Sequence, residues 1–272
     1  TAKNVTAGGA ATLNAGTNLT AQNVSAGGVA TLNAGTDLTA QNVSAGKDAA
    51  LTAGKNLSVR DVTAGGAARL NAGTNLTAQN VKAGGAATLH AGTDLTAQNV
   101  SAGGKAELTA GHDAAINGTV TTGGDLTARA INDLTVRGAI LSHGMAQIDA
   151  GHDAAIDGTV TTDGDLKAHA TNDLTVNGAI SSHGMTQIDA GHDAKFNGNL
   201  TSDKDLTILA KNNIITKEGA NLYTKENGRL KAHAAELGGD VRADGTLTIE
   251  TDDTLTAKNV TAGGAATLNA GT

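Results

Sequence analysis

One 19-residue phrase governs this chain. AGGAATLNAGTNLTAQNVS at residues 7–25 returns almost unchanged at 26–44, and its landmarks keep the step far beyond that. Leu13, Leu32, Leu51, Leu70, Leu89 and Leu108 recur every 19 residues, as do Val24, Val43, Val62, Val81 and Val100. The glycines Gly16, Gly35, Gly54, Gly73 and Gly92 follow the same step. A period of about 20 residues is the mark of a solenoid, whose units bury an apolar face only by stacking on their neighbours.

The choice between helix and strand rests on the pattern inside the unit. Ala11, Leu13 and Ala15 alternate with Thr12 and Asn14, and Leu19 and Ala21 alternate with Thr20 and Gln22. That is the two-residue period of a half-buried strand. A short third arm follows around Val24 and Ala26, with Gly-Gly, Gly-Thr-Asn and Gln-Asn as corners. Gly, Thr and Asn every few residues also oppose a helix. The predicted fold is therefore all-β: a right-handed parallel β-helix of about 14 coils of 17–24 residues. The two leucine and valine rows are its inward ladder, and the glycines above sit at its corners.

Composition agrees with a narrow tube. Among 272 residues there is no Pro, Cys or Trp, and Phe196 and Tyr223 are the only aromatics, so no aromatic globular core is available. The absence of proline suits a backbone whose N–H groups are wanted for ladder bonds. Without cysteine there is no disulfide framework and no thiolate metal site. A net charge of −7, evenly spread, offers no basic stripe to nucleic acid or to an anionic membrane. No apolar run approaches a membrane span, which takes roughly 18 residues or more. No signal peptide opens the sequence.

Along the chain, residues 1–108 are regular 19-residue coils. Residues 109–206 carry a two-coil unit of 40 residues, seen in AGHDAAINGTVTT, AGHDAAIDGTVTT and AGHDAKFNGNLTS. Following the large residue through Leu108, Leu126, Ile148, Leu166, Ile188 and Leu206 predicts coils whose length alternates, 18 then 22. Residues 207–250 are irregular, with a protruding loop expected around residues 217–227. Residues 251–272 return to the regular unit; residues 256–272 repeat residues 1–17 identically, as in a segment cut from a longer array.

The AGG-x-ATLNAGT-[ND]-LTAQNV-[ST] coil resembles the haemagglutinin repeats of filamentous-haemagglutinin-type exoproteins, which bacteria export by two-partner secretion. The resemblance covers essentially the whole chain and is strongest over residues 1–111. It implies a β-helical shaft, export through a partner pore in the outer membrane, a secreted, cell-surface location and service in an adhesin. Host receptors or glycans would then be bound through other parts of the full protein. Contact-dependent toxin-delivery proteins carry similar repeats in their stalks, which gives an alternative reading. The integrin-type Arg-Gly-Asp tripeptide known in such adhesins is missing: Arg137-Gly138 is followed by Ala139, and Arg242 by Ala243-Asp244.

Candidate chemistry is sparse. His112, His152 and His192 lie in identical AGHD corners, and His143 and His183 in SHGM corners. Each set recurs every second coil, about 9–10 Å apart, too far for two histidines to share a metal at about 2 Å. The histidines are thus expected as solvated corners, with no metal and no cofactor. Asp163-Gly164-Asp165 hints at calcium, but the β-helix calcium nonapeptide is missing. Acids scattered singly, without a nucleophile elbow or a phosphate loop, argue against an enzyme, including a β-helical polysaccharide-degrading one. A flat threonine ice-binding face is interrupted at Ala50, Arg69 and Glu107. Asn23, Asn42, Asn80 and Asn99, broken by Asp61, are spaced for a stacked amide ladder.

Overall fold

Parallel strands from coil after coil lie in register, and no helix occurs among the described residues, 1–271, of this computed structural model. The chain is an all-β solenoid of about 14 coils. It divides into two units, residues 1–131 and residues 132–272.

In residues 1–131 each 19-residue coil contributes a five-residue strand, such as Ala30–Ala34, and an eight-residue strand, such as Leu38–Ala45. Alternation sends Ala30, Leu32 and Ala34 inward, where all three are buried. In the long strand the alternation breaks once: Gln41 and Asn42 both face solvent between buried Ala40 and Val43. The eight-residue strand is therefore two arms joined by a Gln-Asn corner so shallow that the backbone stays extended. Leu32 pairs with Leu51, Leu51 with Leu70, Leu70 with Leu89 and Leu89 with Leu108. These five leucines are at most 1% exposed. Leu13 pairs with Leu32 and is half-buried. Val24, Val43, Val62, Val81 and Val100 form the second buried column. Each fully buried leucine contributes roughly 1.5–3 kcal/mol relative to leaving it in water.

Corner glycines answer to crowding rather than to backbone angle. Gly16, Gly35, Gly54, Gly73 and Gly92 have no positive φ; among the described residues only Gly219 does, at 83°. A Cβ on Gly35, Gly54, Gly73 or Gly92 would instead overlap the carbonyl oxygen of the corner glycine one coil below. Nothing lies within 4 Å of such a Cβ on Gly16.

The coil first lengthens at residues 117–119. Ala97 pairs with Ile116 but Val100 pairs with Val120, so the step from coil to coil grows by one. The extra residue is in the corner, where Asn117-Gly118-Thr119 replaces Gln98-Asn99. From here to Thr224 the corner splits the long strand, so a coil has three strands, as in Ala146–Ala150, Ala154–Ile156 and Val160–Thr162, whereas Ala234–Ala243 and Leu255–Ala262 are unbroken again.

The register also corrects the expected alternation of short and long coils. Ala146 pairs with Leu166, Ile148 with Ala168, Leu166 with Thr186 and Thr186 with Leu206, a uniform step of 20. The large residue moves between the first and middle inward positions of the strand while its partner shrinks, because close packing fixes the volume of a layer rather than the position of its largest side chain. Later, Leu206 pairs with Gly228, Gly228 with Leu247 and Leu247 with Ala266, giving steps of 22, 19 and 19. A Cβ on Gly228 would sit 2.8 Å from Leu247 Cδ1, so glycine makes room for that leucine.

The expected protruding loop is smaller than residues 217–227. Two additional residues widen the corner at residues 217–221, closed by an Ala220 N–H to Lys217 carbonyl bond of 3.0 Å with Gly219 at its tip. Strand Leu222–Thr224 then rejoins the stack, because Leu222 continues the buried column of Leu200 and Val241.

Candidate functional site

Outward side chains at the corners are organised along columns, each contacting the coil before and after it. The amide ladder is formed: Asn23 Nδ2 donates to Asn4 Oδ1 at 2.7 Å, Asn80 Nδ2 to Asp61 Oδ1 at 2.7 Å, and Asn99 Nδ2 to Asn80 Oδ1 at 2.9 Å. Asn42 is 2.7 Å from Asn23 Oδ1 through Nδ2 in one amide orientation. In the other, its Nδ2 is 3.2 Å from Asp61 Oδ2, which the acceptor-only carboxylate favours. None of these residues has a positive φ, so asparagine is present for its amide and not for a left-handed backbone. A shallow groove of 380 Å³ runs beside the ladder over Val81 and Val100, with Lys82 and Ser101 on its other wall.

The histidine corners hold more than their own spacing indicates. His152 lies against Asp133 of the preceding coil, Nδ1 to Oδ1 2.9 Å, and against its own neighbour Asp153 at 3.4 Å. His192 repeats this with Asp173 at 2.8 Å and Asp193 at 3.6 Å, and His112 with Asp94 at 3.4 Å and Asp113 at 3.2 Å. Because a carboxylate only accepts, Nδ1 carries the proton in the short contacts. Asparagine takes the same place in the coils between, where Asn172 Nδ2 donates to Asp153 Oδ1 at 2.7 Å and Asn212 Nδ2 to Asp193 Oδ1 at 2.8 Å. Each aspartate also accepts the backbone N–H of the aspartate one coil on, as Asp173 N to Asp153 Oδ1 at 3.0 Å and Asp193 N to Asp173 Oδ1 at 3.1 Å. The column ends on Asn213, whose N–H reaches Asp193 at 3.1 Å.

These contacts set the protonation of the corners. The bond to Asp133 raises the pKa of His152, and the charge on Asp153 adds to it. At Asp193 burial works to raise the pKa, but Lys195 and Asn212 outweigh it and the net shift is down. Asp173 is likewise pushed up by burial and brought down by His192, the Asp193 N–H and Lys195. Lys195 bridges the two carboxylates at 3.4 and 3.0 Å, in a position held by alanine at Ala115 and Ala155.

Sequence spacing of the histidines alone missed this column. Its signal was an aspartate directly after each His or Asn, at 113, 133, 153, 173 and 193. The three Asp-His-Asp groups bring their donor atoms within 4.8 Å of one another, a span a cation could bridge. The carboxylates already accept N–H bonds, however, and Lys195 occupies the third group. Asp163 and Asp165, the calcium suggestion, also face neighbouring coils: His183 Nδ1 is 3.5 Å from Asp163, and the Met185 N–H donates to Asp165 Oδ1 at 2.9 Å.

A buried hydroxyl column accompanies the three-strand coils. Thr162, Ser182 and Ser202 donate to the carbonyls of Gly144, Gly164 and Gly184 at 2.5, 3.0 and 3.0 Å. In the 19-residue coils the same position is alanine, as at Ala45 and Ala64.

The haemagglutinin repeat family model matches five times, at residues 2–61, 62–111, 101–155, 142–222 and 226–272. The chain belongs to the haemagglutinin repeat family. Comparison with curated proteins and with solved structures returned no match. In this haemagglutinin repeat chain the Arg242-Ala243-Asp244 tripeptide, a near-miss of Arg-Gly-Asp, is tied up locally. Arg242 donates from Nε and Nη2 to Asp244 Oδ1 at 3.0 and 2.8 Å and lies 5.3 Å from the centre of the Tyr223 ring, whose hydroxyl donates to Asp244 Oδ2 at 2.6 Å.

Proposed function

We propose that these haemagglutinin repeats form a shaft segment of a large secreted filamentous adhesin, a spacer that carries a separate binding region away from the bacterial surface. The family is typical of secreted surface proteins, and its repeats suggest a structural, adhesin-type role. The observation that carries the reading is the direction in which side chains are used. Asn80, Asn99, Asp153, Asp173 and His192 each spend their polar atoms on the coil before or after, which stiffens a stack and leaves little to converge on a substrate.

Export fits the same reading. A chain that passes an outer-membrane pore extended needs no early disulfide and no proline isomerisation, and this one contains neither residue. Contacts between adjacent coils let folding propagate outside. The test is to compare host-cell attachment by a bacterial adhesin carrying this segment with attachment when the segment is replaced by an unrelated β-solenoid of equal coil number. Equal attachment supports a spacer. Loss of attachment, together with cell binding by the isolated segment, overturns it in favour of a receptor-binding segment.

A further inference from the structure

We propose that His152 makes the stack around it pH-responsive, drawn tighter when its ring takes up a proton and loosened when it releases it. The His152 and His192 rings are held by Nδ1 against a carboxylate of the preceding coil, at 2.9 and 2.8 Å, so protonation places a positive charge between coils where a negative one already stands. His152 faces Asp133 below, Asp153 beside it and Asp173 above, with neutral Asn172 as its other neighbour. His192 faces Asp173, Asp193 and the amide of Asn212, and Lys195 already offsets part of the charge of its two aspartates. The two corners thus differ in geometry: His152 has Ala155 beside it where His192 has Lys195.

The direction follows from linkage. A histidine whose folded pKa is raised, as at His152, contributes stability that is present below its unfolded value of 6.5 and is lost as pH rises through the folded value. Asp173 and Asp193 act oppositely: their depressed pKa values contribute stability above 3.8 that is lost at lower pH. Resistance to unfolding should accordingly peak in mild acid, between the carboxylate and histidine ranges.

Asparagine provides the control, because Asn172 and Asn212 occupy the same corner in intervening coils and make the same bond without titrating. The experiment measures the urea midpoint of the full chain at about pH 5 and about pH 8, the interval in which histidine changes charge. It compares wild type with His152→Asn, His192→Asn and the double variant. Wild type should have the higher midpoint at about pH 5. His152→Asn should remove most of the difference. Amide exchange at Asp153, relative to wild type, should be several-fold faster in His152→Asn at about pH 5 and nearly unchanged at about pH 8. A ring titration of His152 by NMR reads the same effect without any substitution. The proposal is overturned if the wild-type midpoints coincide, if His152→Asn keeps the full wild-type difference, or if His152 titrates at or below 6.5.

Discussion

Residues 1–108 repeat one coil, whereas residues 109–206 repeat two, and the difference follows from what a stack does to charge. In a parallel solenoid each outward side chain stands about 4.8 Å from its copy on the next coil. A neutral amide tolerates its own image, donating to the coil below and accepting from the coil above, as Asn80 does. A charge does not. Identical coils therefore fill their columns mostly with Asn, Gln, Thr, Ser and Gly, and a charge can enter beside one that complements it, as Arg69 does 3.7 Å from Asp48. Doubling the period removes the restriction. One column of the second unit reads Asp163, His183, Asp203 and then Lys225, with contacts of 3.5 Å between His183 and Asp163 and 2.7 Å between Lys225 and Asp203. Another holds His169 3.7 Å from Asp189. Aspartates are the exception, Asp94 with Asp113 in the first unit and the column from 133 to 193 in the second, and in the latter each carboxylate is covered by a backbone N–H and by His, Asn or Lys.

Each unit has an apolar interior, so the largest effect should come from breaking one. Leu70 is 1% exposed between Leu51 and Leu89. Leu70→Asp strands a charge there at a cost of several kcal/mol after relaxation, and circular dichroism should show lost strand signal or a sharply lower Tm. Gly73→Ala probes the crowding of identical coils. Its new methyl meets the Gly54 carbonyl, and overpacking of this kind costs about 1–3 kcal/mol. Gly16→Ala meets nothing within 4 Å and should leave urea unfolding unchanged. Equal effects at the two glycines would refute the stacking explanation.

The leucine ladder of the first unit was legible in the sequence because there the coil and the repeat are the same length. In the second unit the same method misread the coil, since Leu166 and Ile188 are neighbours in the stack but not in one column: Leu166 lies on Thr186, and Ala168 on Ile188. Periodicity reports which residues are large; only register reports which share a column. The aspartate–histidine corner was hidden for a related reason. His152 bonds to Asp133, one position short of the full coil step that pairs Ala146 with Leu166, so a row traced at one spacing misses the diagonal contact. Thr186 could not have been read at all. It looks like another outward threonine but occupies an inward position, 1% exposed, with its hydroxyl unpaired. Thr186→Val keeps the shape and removes the unpaired group, and should raise stability by about 1 kcal/mol in urea unfolding.

The smallest expected effect bears most directly on the contrast between the units. Asn80→Asp changes one amide into a carboxylate, directly above Asp61 and below Asn99. Three consequences follow at neutral pH: the 2.7 Å bond from Asn80 to Asp61 is lost, two negative charges stand one coil apart, and Asn99 keeps an acceptor below it. In water-like surroundings the repulsion is about 1 kcal/mol, so the urea midpoint at about pH 7 should fall modestly. Acid should restore it, since below the carboxylate range of about 4 the introduced carboxyl group is protonated and can again donate to its neighbour. The gap between variant and wild type should thus close as pH falls and shrink in high salt, which screens exposed charges. Asn80→Gly removes the same hydrogen bond but adds no charge, so its deficit should persist at every pH. If both variants lost the same stability at about pH 7 and neither recovered in acid, the lost amide bond alone would account for the effect. Repulsion between like coils would then no longer explain why the one-coil region carries fewer charges than the two-coil region.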